Sequence, residues 1–231
     1  MRWLISLFLH LASLLTFFAC ISVYLLLIIF LSPYKIQMIT HLLCRLILLS
    51  SGQWLVIEGE LLPAGRSYLY LSNHESILDA FIFGAALSGR VTAVAAEDYF
   101  SIPIWGAIMR RYGVIPIQRK IHEKAMDSMG FAEQSLCSGT SIIICPEGTR
   151  TKTGRVEKFK SGAFHLAHNA QPVIVPLAIV GSFEARNRNS WLIRPGLIRL
   201  RFGRPILPEQ YEGLSPAEIS DLVRQEIIFI S

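Results

Sequence analysis

Two side chains able to move a proton, His74 and Asp79, stand five positions apart in S-N-H-E-S-I-L-D-A-F, residues 72–81. On a regular helix that spacing turns one about 140° away from the other. They can meet only if His74 precedes the helix and its ring folds back. A carboxylate on one imidazole nitrogen would fix the tautomer, leave the other nitrogen as a general base and stabilise the imidazolium that forms. The same stretch supports a plainer reading. Ser76 and Asp79 match an S-x-x-D capping box, in which Asp79 reaches back to the helix terminus and His74 is a bystander. One aspartate could also serve both.

A second group lies in C-P-E-G-T-R-T-K-T-G-R-V-E-K-F-K-S-G, residues 145–162. Gly148 allows close approach of backbone to a ligand, and Arg150 offers a planar fork matched to phosphate oxygens. Arg155, Lys158 and Lys160 add positive charge; solvation alone would also account for such a loop. Glu147 is either an ion-pair partner for these cations or a ligand for hydroxyls of an acceptor. The order G-x-x-x-x-G-K-[ST] is absent, so nucleotide hydrolysis is not indicated. Arg119 and Lys120 follow the strand-like G-V-I-P-I, where a charged strand edge is the ordinary explanation. The four cysteines, Cys20, Cys44, Cys137 and Cys145, show no metal-ligand spacing and read as buried, reduced thiols in a cytoplasmic setting.

The elements that must position these groups alternate. W-L-V-I-E-G-E and S-Y-L-Y-L-S read as strands, S-I-L-D-A-F-I-F-G-A-A-L as a helix, V-T-A-V-A-A as a strand, and Y-F-S-I-P-I-W-G-A-I-M-R-R-Y as a helix containing Pro103. G-V-I-P-I is a short strand before a helix from His122 that ends at Gly139, a suitable C-cap. S-I-I-I-C and P-V-I-V-P-L-A-I-V are continuous apolar strands, buried on both faces. Between them S-G-A-F-H-L-A-H-N-A is a short helix. L-I-R-L-R-F-G alternates as a half-buried strand, and S-P-A-E-I-S-D-L-V-R-Q-E-I-I-F-I is a helix opened by Ser215, Pro216 and Glu218 in a capping box. The pattern predicts an α/β fold, with a mixed sheet flanked by helices over residues 52–231. His74 would then sit at the carboxyl edge of that sheet, where such folds collect ligands.

Residues 1–51 differ in kind. From Trp3 to Tyr34 there is no Asp, Glu, Lys or Arg, and a helix from Trp3 to Leu31 would measure roughly 43 Å, more than the ~30 Å of a hydrocarbon core. The run is too long for a signal peptide's apolar region, so cleavage is the weaker reading. After Pro33, Ile36, Ile39, Leu42, Leu43, Leu46 and Ile47 recur at helical spacing, as expected of a return arm in or on the bilayer or of a helix in the domain core. The net charge of +5, carried between Arg110 and Arg204 beside such an anchor, favours anionic lipid headgroups over nucleic acid as the partner.

Taken together, N-H-x-x-x-x-D at residues 73–79, G-V-I-P-I-x-R at 113–119, P-E-G-T-R at 146–150 and V-I-V-P-L at 173–177 resemble, in order and separation, the four blocks of the glycerolipid acyltransferases. The likeness is strongest to the bacterial 1-acylglycerol-3-phosphate acyltransferases. The resemblance spans roughly Trp54 to Phe202 and departs at Cys145, where the family has a bulkier apolar residue. It implies an O-acyltransferase in which His74 deprotonates the free hydroxyl of 1-acylglycerol 3-phosphate, Asp79 orients and stabilises His74, and the thioester of acyl-CoA or acyl carrier protein is the donor. Phosphatidic acid is then the product. It also implies that Glu147, Gly148, Thr149, Arg150 and Arg119 hold the glycerol phosphate, that no metal or cofactor takes part, and that the enzyme sits at the cytoplasmic membrane with its catalytic domain on the cytoplasmic face. Two rivals stand beside it: acylation of another lysolipid, such as a lysophospholipid or lyso-ornithine lipid, and a membrane-anchored, anionic-lipid-binding module without turnover.

Overall fold

The computed structural model describes residues 2–60, 62–63, 66–118 and 122–231, with only the backbone for 122–125. One seven-stranded sheet runs through it in the order β1-β7-β6-β2-β5-β3-β4, comprising β1 (Gln53–Glu58), β2 (Tyr68–Ser72), β3 (Val91–Ala96), β4 (Ile115–Ile117), β5 (Ser141–Ile144), β6 (Val173–Val180) and β7 (Gly196–Phe202). Only the β6–β7 pairing is antiparallel, so the sheet is mixed, as the alternating pattern predicted.

Strand periodicity sorts the core into two layers. Leu69, Leu71, Ile142, Ile144 and Ile174 face α5 (His122–Cys137), α6 (Gly162–Ala170) and α8 (Pro216–Ile230), against Leu136, Phe164, Ile219 and Val223. Tyr68, Tyr70, Ile143, Val175 and Ile198 face α2 (Gln37–Ser50) and α3 (Asp79–Ala86), against Leu48, Ile82 and Ala85. The central strands are therefore apolar on both faces, which explains the unbroken runs in β5 and β6.

This two-sided packing creates the position of the site. The connection from β2 to β3 runs through α3 on one face, whereas that from β5 to β6 runs through α6 on the other. Neighbouring parallel strands β2 and β5 thus send their chains to opposite faces, and a crevice opens at their carboxyl ends. The loop after β2 carries His74, and the loop after β5 carries P-E-G-T-R.

Several ends behave as the sequence predicted. Ser215 and Glu218 exchange side-chain and backbone bonds at the start of α8. At the end of α5, Gly139 adopts φ +83°, its N–H donating to Leu136 while the next N–H reaches Ser135, a Schellman closure. Two boundaries differ. The helix expected over residues 99–112 is divided into a 3-10 turn, Glu97–Ser101, and α4, Trp105–Arg111. Pro103 has no N–H to continue the ladder, and Ile104 is turned to φ 65° to restart it. α3 begins at Asp79 rather than near Ser76, because the carboxylate of Asp79 itself receives the backbone N–H groups of Glu75 and Ser76.

α1 (Arg2–Phe30) and α2 form the hairpin expected around Pro33. α1 lies along the domain: Tyr24 and Ile28 pack with Ile36 and Ile108, Phe17 meets Phe81 and Trp105, and the hydroxyl of buried Ser6 accepts the N–H of Ile193. α2 likewise turns Leu48 into the core and ties Gln37 and His41 to the carbonyl of Leu87. The expected core role for α2 is thus present on one face, and its other face is exposed. Leu4, Leu7, Phe8, Leu11, Leu15, Phe18 and Leu26 of α1 continue outward with Met38, Leu42 and Leu46 of α2, all exposed. Only 11% of the most apolar 18-residue stretch of α1 is buried, which separates it from a core helix. Cys137 is exposed, unlike the buried thiol expected, because it lies on the outer side of α5.

Candidate active site

β2 ends at Ser72, and the next six residues turn across the sheet edge before α3 begins. In that turn the His74 ring folds back as the five-residue spacing required. Nδ1 lies 2.7 Å from Oδ2 of Asp79, with the His74 side chain 26% exposed and that of Asp79 1% exposed. Nε2 has no hydrogen-bond partner among the described residues. An imidazole anchored on one side and open on the other is the arrangement a general base needs.

Asp79 is held by four donors. Oδ2 accepts the N–H groups of Glu75 at 2.7 Å and Ser76 at 3.0 Å as well as the ring. Oδ1 accepts the hydroxyl of buried Ser182 at 2.6 Å. One carboxylate thus does both jobs at the level of contacts: Asp79 closes the helix start and holds the His74 ring. The Ser76 hydroxyl does not complete the box. It donates to the carbonyl of Arg186 and accepts from Leu78 N.

The P-E-G-T-R loop is a turn in which Gly148 N donates to Cys145 O. Gly148 has φ +70°, which favours glycine; a Cβ there would meet the far end of the flexible Lys160 side chain at 2.9 Å, which would have to move aside. Glu147 points inward. It is 4% exposed, and its two oxygens accept His74 N at 2.9 Å and Glu157 N at 3.2 Å. Burial raises its pKa, against the opposing effect of those two amides. Both oxygens are engaged by backbone donors, so the side chain serves as a strut under His74, and the lone pairs that remain on them are those a ligand hydroxyl would use. The reciprocal bond from Thr151 N to His74 O, 2.8 Å, fastens the same two loops. Gly148, Thr149 and Arg150 lie in the loop after β5 that is tied to the His74 loop, Thr149 exposed and Arg150 partly so. Arg119 falls outside the described residues.

Three residues were not singled out from the sequence for the parts they play. Asn73 spans β2 and β6, its amide oxygen accepting Ile179 N at 2.7 Å and its nitrogen donating to Ile179 O at 2.8 Å. Glu75, 7% exposed, accepts from Asn73 Nδ2 and Phe183 N. Its pKa is pushed up to about 8 by burial, with the Phe183 N–H opposing and the nearby carboxyls of Asp79, Glu184 and Glu147 adding to the rise. Ser182 opens α7 (Ser182–Ala185), directly after β6. The only signal for it was a Gly-Ser pair at a strand's carboxyl end, which occurs at many strand–helix turns.

A family model described as Acyltransferase matches residues 55–180, more than half of the chain. The chain belongs to the acyltransferase family. Among relatives named 1-acyl-sn-glycerol-3-phosphate acyltransferase, the protein of Cocos nucifera is 29% identical over 173 residues, 74% of this chain and 56% of its own. The chloroplastic LPAT1 of Arabidopsis thaliana is 33% identical, covering 65% and 43%, and the alpha form of Homo sapiens is 30% identical, covering 73% and 60%. The chain therefore spans roughly half the length of the curated relatives it matches. The crystal structure titled 1-acyl-sn-glycerophosphate (LPA) acyltransferase, PlsC, from Thermotoga maritima shares the fold: the TM-score is 0.85 at 21% identity, covering 99% of this chain and 95% of that one.

Proposed function

We propose that the protein transfers an acyl group from a thioester, acyl-CoA or acyl carrier protein, to the free hydroxyl of 1-acylglycerol 3-phosphate and so forms phosphatidic acid. The observation that carries this reading is the buried Asp79 holding Nδ1 of His74 while Nε2 stays open beside the P-E-G-T-R turn. Nε2 takes the hydroxyl proton as the oxygen attacks the thioester carbonyl. Collapse of the tetrahedral intermediate breaks the C–S bond, and the imidazolium returns its proton to the departing sulfur. The alcohol is the nucleophile, so no acyl-enzyme forms. The Ser76 hydroxyl is already committed to Arg186 O. Arg150, with Gly148 and Thr149, provides the phosphate end of the site, and Arg119 is proposed to join it. The names of the relatives support the acceptor, and the family supports the reaction.

The hairpin of residues 1–51 is the proposed membrane anchor of the α/β unit that follows. The outward stripe along α1 and α2 is a run of exposed large apolar side chains, of the kind that marks an interaction surface, and suits burial in acyl chains. It would hold the crevice at the cytoplasmic surface of the membrane, where a lipid acceptor and a water-borne thioester can meet. The test is a panel of lysolipids offered to the purified enzyme with each of the two thioester donors. Turnover of lysophosphatidate is expected; acylation of a different lysolipid with none of lysophosphatidate would replace the acceptor, and binding without any turnover would replace the enzyme.

A further inference from the structure

Beyond the motifs, the chain after α7 brings two more arginines to the P-E-G-T-R turn. Residues 186–195 form a loop fastened at several points: Arg186 O accepts the Ser76 hydroxyl, Arg194 N donates to Ala185 O, and Ile193 N donates to Ser6 of α1. Within it, Nη1 of Arg188 donates to Thr149 Oγ1 at 3.0 Å and to Arg150 O at 3.2 Å, and the Asn189 amide donates to Lys152 O at 2.9 Å. Nη1 of Arg186 donates to the carbonyls of Asn187 and Ser190. Each guanidinium thus spends one nitrogen on holding its loop. Its Nε–H and the two N–H bonds of Nη2 remain uncommitted among the described residues.

Arg150, Arg186, Arg188 and Lys160 then converge on one turn, and none of them makes an ion pair among the described residues. Lys160 lies against Gly148. Arg186 is half-buried, and its pKa is lowered first by that burial and then by the charge of Arg150. Like charges held together at the mouth of a crevice repel unless an anion sits between them, and guanidinium forks match a phosphate in both charge and shape. A solvated surface would spread these cations. Here Arg188 and Lys160 are exposed, but hydrogen bonds hold the guanidinium groups of Arg186 and Arg188 in place beside the turn.

We propose that Arg186 and Arg188 form the second wall of the acceptor's phosphate site, opposite Arg150, and that Arg188 makes the site selective for a lipid carrying a phosphate monoester. The inference rests on the reaction proposed above. Arg188 acts in two ways: it fixes Thr149 and the carbonyl of Arg150, and its remaining donors reach the phosphate oxygens. Arg186 contributes the half-buried charge.

The experiment compares wild type, Arg188→Ala, Arg188→Lys and Arg186→Gln in neutral phosphatidylcholine vesicles. Lysophosphatidate and the uncharged 1-acylglycerol serve as acceptors, with acyl-CoA or acyl-pantetheine as donor. Each alanine or glutamine change should raise the KM for lysophosphatidate by about tenfold or more, the usual loss on removing a charged hydrogen-bond donor, and leave kcat within about threefold. Any slow turnover of 1-acylglycerol should fall by a much smaller factor than that of lysophosphatidate, and Arg188→Lys should recover only part of the affinity because it restores charge without the fork. An unaltered KM for lysophosphatidate in folded variants overturns the inference. So does a rise confined to the KM of acyl-CoA and absent with acyl-pantetheine, which would assign the arginines to the donor's phosphates. A loss confined to vesicle binding would assign them to lipid headgroups and likewise overturn it. Failure of the underlying reaction is distinct, since wild type would then turn over no lysophosphatidate.

Discussion

Asp79→Asn separates charge from geometry at the centre of the site. Oδ2 of Asp79 faces three N–H donors, those of His74, Glu75 and Ser76, whereas Oδ1 faces only the Ser182 hydroxyl, which can reverse its role and accept. An asparagine will therefore leave its oxygen on the three donors and point its NH2 at Ser182. The tautomer and orientation of His74 survive, and what disappears is the negative charge that stabilises the imidazolium. Exchanging a charge-assisted hydrogen bond for a neutral one costs roughly 1 kcal/mol. A full ion pair with charges about 4 Å apart is worth about 4 kcal/mol at an effective dielectric of 20. Between these limits, at about 1.4 kcal/mol per decade, kcat falls roughly 5- to 700-fold. The assay follows thiol release from the thioester with lysophosphatidate saturating, and thermal unfolding shows that the variant is folded. Activity within twofold of wild type would refute a role for the charge. A loss as deep as that of His74→Ala would refute the argument that the three donors keep the tautomer.

Glu147→Gln leaves one of the His74 and Glu157 amides unanswered, so we expect a loss of about 1–3 kcal/mol in stability and a fall in kcat; a change confined to the acceptor's KM would return Glu147 to the role of a ligand. Ser182→Ala removes the single donor on Oδ1, and kcat should drop by roughly tenfold at unchanged KM for both substrates. Gly148→Ala forces a Cβ onto the Lys160 side chain at a positive φ and should raise the acceptor's KM while the donor's stays put. Glu75 supplies a pH dependence. Its folded pKa of about 8 stands above the ordinary 4.5, so between those values the folded chain keeps a proton that the unfolded chain releases, and stability falls as pH rises through that window. Glu75→Gln should flatten this decline in unfolding experiments between pH 5 and 8; an equal decline in both proteins would contradict it.

The local parts of this account are written in local sequence. Strand runs, the Ser215 box, the Gly139 cap and the break at Pro33 each depend on a few neighbouring residues, and their elements fall within a few positions of where the pattern puts them. The proximity of His74 to Asp79 was likewise testable by spacing, since only one backbone course lets them touch. Contacts that depend on topology were not legible. That Ser182 closes on Asp79 across 103 positions follows from β6 lying beside β2, and no short pattern announces that neighbour. Glu147 stands among cations in the sequence and read as their ion-pair partner or as a ligand; the fold turns it under the His74 loop, where two backbone amides meet it. Pro103 shows a local error. The helical spacing around it was real, but a missing N–H outweighed it and divided the segment.

The central claim is that His74, steadied by Asp79, takes the proton from a lysolipid alcohol. Its most direct test is the formation of phosphatidic acid from lysophosphatidate and an acyl thioester by wild type and by His74→Ala, each reconstituted in vesicles and each shown to be folded and to bind lysophosphatidate. Wild type should make the product, and the variant should bind the acceptor yet acylate it at no more than the uncatalysed rate. Phosphatidic acid made by the folded variant at a rate near that of wild type would contradict the account.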